Sequence, residues 1–251
     1  MIIAVGILGL ILGSFLNVVI YRFPKGLSVA YPGSHCPSCG KPIRFYDNIP
    51  LISYLLLKGH CRRCGSPIPW RYPFVEALTA LCLVVLFLRY GYSENFIVFG
   101  VSMLFLIPIT VIDVQTGLIL NKLTIPGFIL GILLILGLQI ETWKEALFGA
   151  LAGGGIMGLI ACAGKILFRK ESLGMGDVKL LVMLGVYVGF PAVGICLFFG
   201  ILAAGIFVFG GLIFKKLRFG NIIPFGPFIA IGTIVYLMWG ELIVNWYVGR
   251  F

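Results

Sequence analysis

Two groups of residues in this 251-residue chain have the types and spacing for chemistry. The first is a cysteine quartet, Cys36, Cys39, Cys61 and Cys64, which reads C-x2-C-x21-C-x2-C. A two-residue gap lets both thiolates of a knuckle face one ion, and two knuckles complete a tetrahedral sulfur site suited to zinc. Four sulfur ligands leave no open position for a substrate, so such a zinc is structural. Disulfides and an iron–sulfur site are the competing readings, and disulfides need an oxidising compartment. Gly40 and Gly65 each follow the second cysteine of a pair, where a tight turn calls for positive φ. Arg62 and Arg63 are expected to favour thiolate in the second knuckle.

The second group is a pair of aspartates. Asp113 closes an apolar run in "PITVIDVQTGLILNKLT", and Asp177 opens another in "LGMGDVK". Either alone could cap a helix or pair with a lysine such as Lys179. Together, at the ends of non-adjacent apolar runs, they suit a different task. Two carboxylates that face each other share a proton, because like charges at short range do not both ionise. One can then take a proton from water while the other gives one, which is the chemistry of peptide hydrolysis. The pair titrates as a unit, so neither residue receives a separate role. Gly174 and Gly176 leave room beside Asp177 for an extended peptide backbone.

The elements that must position these groups are membrane helices. The chain is 60% hydrophobic and 11% charged, with a mean hydropathy of +1.10, whereas a soluble domain carries about 25% charged residues. Its acidic residues are few: Asp47, Glu76, Glu94, Asp113, Glu141, Glu145, Glu171, Asp177 and Glu241. Apolar runs long enough to cross a bilayer fall near 2–21, 74–90, 95–112, 123–140, 145–168, 178–190, 192–214 and 224–247. The fold class is therefore all-α and polytopic, with about eight transmembrane helices and a small zinc-binding loop. The sixth run is short.

A net charge of +10 would point to nucleic acid in a soluble protein. Here it marks loops on the cytoplasmic side, and no nucleic-acid partner is expected. The first run has no basic residue before it and Arg22 and Lys25 after it, the reverse of a cleaved signal. With the N-terminus outside, sixteen of the nineteen Lys and Arg face inward, leaving Arg89, Lys144 and Arg250 outside. Asp113 and Asp177 then share the cytoplasmic face. Small residues four apart (Gly9 and Gly13, Gly149 and Gly153, Gly154 and Gly158, Gly200 and Ala204) are expected to let helices pack closely. There is no long repeat. The expected organisation is a first helix at 1–21, a cytoplasmic zinc loop at 22–73 and a membrane core at 74–251. A loop of about 50 residues needs a metal or disulfide staple.

Several motifs resemble one family. "GMGDVK" at 174–179 is similar to the GxGD motif of the type IV prepilin peptidases, which belong with the GxGD intramembrane aspartyl proteases. "GSFLNVVIYR" (13–22), "CPSCGKPIRFYDNIPLISYLLLKGHCRRCGSPIPWRYPFVE" (36–76), "ID" at 112–113 and "IPFGPFIAIG" (223–232) extend the resemblance over most of the chain, in order. It implies a bifunctional enzyme of the bacterial cytoplasmic membrane. Such an enzyme cuts the basic leader of prepilins or pseudopilins after a glycine, on the cytoplasmic side. It then N-methylates the new terminus, often phenylalanine, with S-adenosylmethionine. The resemblance puts catalysis on Asp113 and Asp177, and zinc on Cys36, Cys39, Cys61 and Cys64. It also associates the cysteine loop with methylation. One departure is "ILN" with Leu120 and Asn121, where many members read "IPD" or "IPN".

No GxGxxG follows a strand, so a Rossmann-type methyltransferase domain is absent, and the residues that bind S-adenosylmethionine are not identified. Asp47 and Glu76 are acidic candidates for steering methyl transfer, and each could instead pair an arginine such as Arg44 or Arg71. The alternative function is a proton-coupled transporter using the aspartates as a relay, which calls for mid-membrane acids and repeated halves. A membrane-anchored zinc module would account for the loop and leave the aspartates unexplained. The oligomeric state is not legible.

Overall fold

The computed structural model describes residues 1–138, 143–168, 174–217 and 223–248. Glu141, Arg169, Lys170, Glu171, Arg218 and Arg250 lie outside the described residues. A helix stands at each of the eight expected apolar runs. The helices are α1 (Ile2–Arg22), α3 (Arg71–Tyr90), α4 (Glu94–Thr116), α5 (Asn121–Gly137), α6 (Trp143–Phe168), α7 (Met175–Val188), α8 (Ala192–Ile213) and α9 (Gly226–Val248). A short helix, α2 (Ile52–Leu56), lies in the loop between α1 and α3. No sheet occurs among the described residues. The chain is a multi-pass helical membrane protein.

Six helices, α1, α3, α4, α6, α8 and α9, are long and apolar enough to cross a membrane. α5 has 17 residues and α7 has 14, or about 26 and 21 Å at 1.5 Å per residue, against about 30 Å of hydrocarbon. The sixth expected span is thus shorter than a crossing. Its limits are local: Gly174 caps the start in an extended conformation, and Gly189 stops it at φ 74°, a left-handed geometry that glycine tolerates.

The chain divides into two compact units, Met1–Phe96 and Ile97–Phe251. The expected cut at 73–74 follows the change from polar loop to apolar helix, whereas compactness groups α3 with α1 and the loop. Glycine explains that grouping. A Cβ on Gly9 would lie 2.5 Å from Ala80 Cα, and one on Gly13 2.7 Å from Glu76 Cα. The two helices therefore touch backbone to backbone. Val5, Leu83 and Phe87 fill the space further along, with Phe96 stacked edge-on against Phe87.

In the second unit α6 and α7 meet in the same way. Gly149 abuts the Gly185 backbone, and a Cβ on Gly153 would lie 2.5 Å from the Leu181 carbonyl oxygen. Gly200 faces the Phe228 backbone across α8 and α9. Gly158 differs, since nothing lies within 4 Å of its would-be Cβ. Spacing of four identified Gly158 as a packing glycine, but among the described residues none stands against its would-be Cβ.

Candidate functional site

The loop of the first unit is built from two copies of one small device. His35-Cys36-x-x-Cys39-Gly40-x-Pro42-Ile43 and His60-Cys61-x-x-Cys64-Gly65-x-Pro67-Ile68 follow one pattern. Each makes an isolated antiparallel bridge, His35 to Pro42 and His60 to Pro67. In each, the amide of the glycine donates to the first cysteine's carbonyl, at 2.8 Å for Gly40 and 2.9 Å for Gly65. Both glycines take the expected positive φ, 68° and 70°. The motif is too short to register as a long repeat, yet it folds twice in the same way.

The knuckles bring Cys36, Cys39, Cys61 and Cys64 together, with all four Sγ atoms within 4.8 Å of one another and all four cysteines free. Cys36 Sγ lies 3.8 Å from Cys64 Sγ. A tetrahedral ZnS4 site with bonds of about 2.3 Å has sulfur–sulfur edges of about 3.8 Å, so the donor set and its spacing fit zinc. Hydrogen bonds draw two of the thiols down, while Cys39 is raised. The Cys39 amide draws Cys36 down to about 6, and the Ser66 hydroxyl lowers Cys64.

Arg62 plays no such part. Its Nε donates to both Asp47 carboxylate oxygens at 3.0 Å, and Nη2 donates to Oδ1 at 2.7 Å. This bidentate pair holds the Asp47 carboxyl below its ordinary range. Asp47 thus pairs an arginine, though Arg62 rather than Arg44, whose guanidinium donates to the Tyr46 hydroxyl. Arg22, at the end of α1, is buried and ties the loop down by donating to the carbonyls of Ser28, Val29, Pro32 and Gly33. Glu76, in α3, accepts from the Leu51 amide at 2.9 Å.

The second unit holds both aspartates at helix ends. Asp113 occupies the last turn of α4, and its carbonyl accepts from the Gly117 amide at 2.7 Å as the helix ends. A carboxylate there faces the negative end of the helix dipole. α9 supplies the compensation: its first amide, Gly226 N–H, donates to Asp113 Oδ2 at 2.8 Å, at the positive end of a helix. Asp113 is almost fully buried, 4% exposed. Asp177 sits in the first turn of α7, half-buried, and the start of α7 lies against the segment that follows α4, where a Cβ on Gly176 would stand 2.8 Å from Ile119 Cβ.

Of the two simple readings of Asp177, the helix-terminus one holds, since its carboxylate accepts from the Gly174 backbone at the start of α7. The lysine pairing does not, because Lys179 Nζ donates instead to Asn121 Oδ1 at 2.9 Å. Asn121 is the residue of the departing "ILN", and it links the starts of α5 and α7. Gly176 has a different reason from substrate clearance, since its Cβ would meet Ile119 Cβ at 2.8 Å. Gly174 has an ordinary 3.6 Å from its would-be Cβ to Asp177 Oδ2. Gly226, which sequence reading left without a role, is the residue that seats Asp113.

A many-helix membrane protein with a four-cysteine loop and two aspartates at helix ends is a defined class of molecule. Its family follows from comparison. Residues 7–90 match the Bacterial Peptidase A24 N-terminal domain, and residues 100–209 match the Type IV leader peptidase family. Its relatives include proteins named prepilin leader peptidase/N-methyltransferase. That of Aeromonas hydrophila is 34% identical over 96% of this chain and 92% of its own length. That of Pseudomonas aeruginosa is 34% identical over 96% and 91%. That of Myxococcus xanthus is 39% identical over 76% of this chain and 58% of its own length. The chain belongs to the type IV leader peptidase family. No solved structure matches it.

Proposed function

We propose that this protein is a membrane aspartic endopeptidase that removes the leader of prepilins or pseudopilins and N-methylates the terminus it exposes. The observation that supports the peptidase reading is that Asp113 and Asp177 both stand at helix ends of one compact unit, one against the first amide of α9 and the other in the first turn of α7. With one proton between them, the ionised carboxylate takes a proton from water. The hydroxide so formed attacks the scissile carbonyl carbon. The protonated carboxyl supports the carbonyl oxygen, and a proton passes to the leaving amine as the C–N bond breaks. Gly226 N–H fixes the Asp113 carboxylate throughout. Both aspartates stand at helix ends rather than mid-membrane, which favours this reading over a proton-coupled transporter.

Cys36, Cys39, Cys61 and Cys64 would hold zinc as a staple for the loop, with no part in the chemistry. S-adenosylmethionine, when bound, supplies an electrophilic methyl group. The excess of Lys and Arg on one side supports an N-terminus outside the cytoplasmic membrane of a bacterium, with cleavage on the cytoplasmic side. The test uses purified full-length protein and a prepilin peptide. Asp113→Ala and Asp177→Ala should each abolish cleavage while zinc content and melting stay as in the wild type. Full cleavage by either variant rules out the paired mechanism.

A further inference from the structure

The loop of the first unit leaves a group of large apolar side chains exposed. α2 carries Ile52, Leu55 and Leu56 at the spacing i, i+3, i+4, which puts them on one face of the helix. Leu55 is 73% exposed and Leu56 74%, and Ile52 is exposed beside them. Ser53 is turned the other way: it is buried, and its hydroxyl donates to the Tyr46 carbonyl at 2.8 Å. That bond seats the turn Phe45–Asn48 next to α2, and Phe45 on this turn is exposed too.

Depth decides what covers this face. The Leu51 amide, at the start of α2, donates to Glu76 Oε2 at 2.9 Å. Glu76 lies five residues inside α3, about 7.5 Å from the Arg71 end. Its backbone packs on Gly13, whose Cβ would stand 2.7 Å from Glu76 Cα. Gly13 is nine residues, or about 14 Å, short of the Arg22 end of α1. Both α1 and α3 are long and apolar enough to cross a membrane, so α2 is moored below their ends and not above them. Trp70, exposed just ahead of α3 and edge-on to Phe74, marks the boundary, since tryptophan collects where membrane meets water. Helices that lie in a membrane surface sink about 5–10 Å into the headgroup and acyl boundary, which matches the mooring at Glu76.

The charge of the loop suits the same partner. Residues 22–73 hold eight Lys and Arg against one acid, Asp47, and that acid is paired with Arg62. Lys58 is exposed two residues beyond α2, and its long stem can lie on apolar surface while the ammonium reaches a headgroup. A soluble protein has no access to a face set below the helix ends, whereas lipid is already there.

We propose that the loop is a membrane-surface element. α2 lays Ile52, Leu55 and Leu56 into the leaflet from which the loop emerges, and the basic residues around it, Lys58 first, hold anionic phospholipid headgroups. This contact is continuous with the lipid-facing sides of α1 and α3. It gives the zinc-binding loop a third attachment to the bilayer besides the two helices that enter and leave it.

The experiment uses the full-length protein in two kinds of vesicle, phosphatidylcholine alone and phosphatidylcholine mixed with phosphatidylglycerol. Photoreactive benzoylphenylalanine substituted for Leu56 should form adducts with phospholipid in both. Each basic residue near an anionic surface contributes about fivefold to binding, so hydrogen exchange of the amides at 53–59 should be at least about fivefold slower in the anionic vesicles. Lys58→Gln should lose about fivefold of that protection. Leu55→Gln combined with Leu56→Gln should lose protection in both vesicles, with melting of the protein unchanged. Adducts with a second copy of the chain, or with an added prepilin peptide in place of lipid, would assign the face to a protein and overturn the proposal. The absence of lipid adducts would overturn it as well, and lipid adducts with equal exchange in the two vesicles would overturn the headgroup contact.

Discussion

The Gly226 amide donates to Asp113 Oδ2 at 2.8 Å, and a Cβ on Gly226 would stand 2.8 Å from that same oxygen. Glycine is therefore required twice at one position, once for the hydrogen bond's close approach and once for the room it leaves. Gly226→Ala pushes the Asp113 carboxylate away from the α9 terminus. A misplacement near 1 Å costs about a hundredfold in rate, so leader cleavage should fall by about that factor. Methylation of a peptide supplied already cleaved should be unchanged, and a cleavage rate near wild type would show that the contact does not matter.

The zinc staple predicts a sharper outcome. Cys39→Ser removes one of four ligands that lie within 4.8 Å of each other, and structural zinc contributes on the order of 10 kcal/mol to such small folds. Elemental analysis should find one zinc per wild-type chain and close to none in the variant, with protease cuts appearing within residues 22–73. Cys82→Ser, on α3 and away from the quartet, should keep its zinc. Equal zinc in both variants would remove the assignment.

How much of this was legible beforehand depends on what each signal measures. Apolar run length located a helix at each of the eight runs, six of them long and apolar enough to cross a membrane, because hydropathy responds directly to lipid. It also marked the sixth run as short, and α7, held between Gly174 and Gly189, has 14 residues. The quartet and the positive φ at Gly40 and Gly65 were readable because ligand spacing and turn geometry are local. Gly226 was invisible as a functional residue: its role exists only through Asp113, 113 positions away in sequence. Arg62 was misjudged for the same reason, because its partner Asp47 is reached through the fold and not through the adjacent cysteine.

The Asp47–Arg62 pair has a pH signature with a definite sign. Its hydrogen bonds to Arg62 hold the Asp47 carboxyl below its ordinary 3.8. A lowered carboxyl contributes stability that is present above the unfolded value and lost as pH falls through the folded one. NMR titration of Asp47 in the full-length protein should give a midpoint below 3.8, and Arg62→Gln should move it back up. The stability gap between wild type and Arg62→Gln should be present above about pH 4 and close below the folded midpoint. Because Arg62 is exposed, the gap should be small and should shrink further in high salt. An unchanged midpoint in the variant would mean that another group holds Asp47 charged.

Two glycines on α6 separate close packing from mere spacing. Gly153 and Gly158 look alike in sequence, each part of a pair four residues apart, but only Gly153 abuts another helix's backbone. Gly153→Ala drives a methyl group into the Leu181 carbonyl at 2.5 Å, and overpacking of this kind costs about 1–3 kcal/mol. Melting in detergent should fall clearly, and cleavage should fall with it, since α7 carries Asp177 and its seat against α6 would shift. Gly158→Ala meets open space, and removing a flexible residue from a helix interior gains up to about 1 kcal/mol. Its melting temperature should hold or rise. Equal destabilisation by both variants would show that α6 packs through its whole glycine run, and that the close approach at Gly153 is not what holds α7 in place.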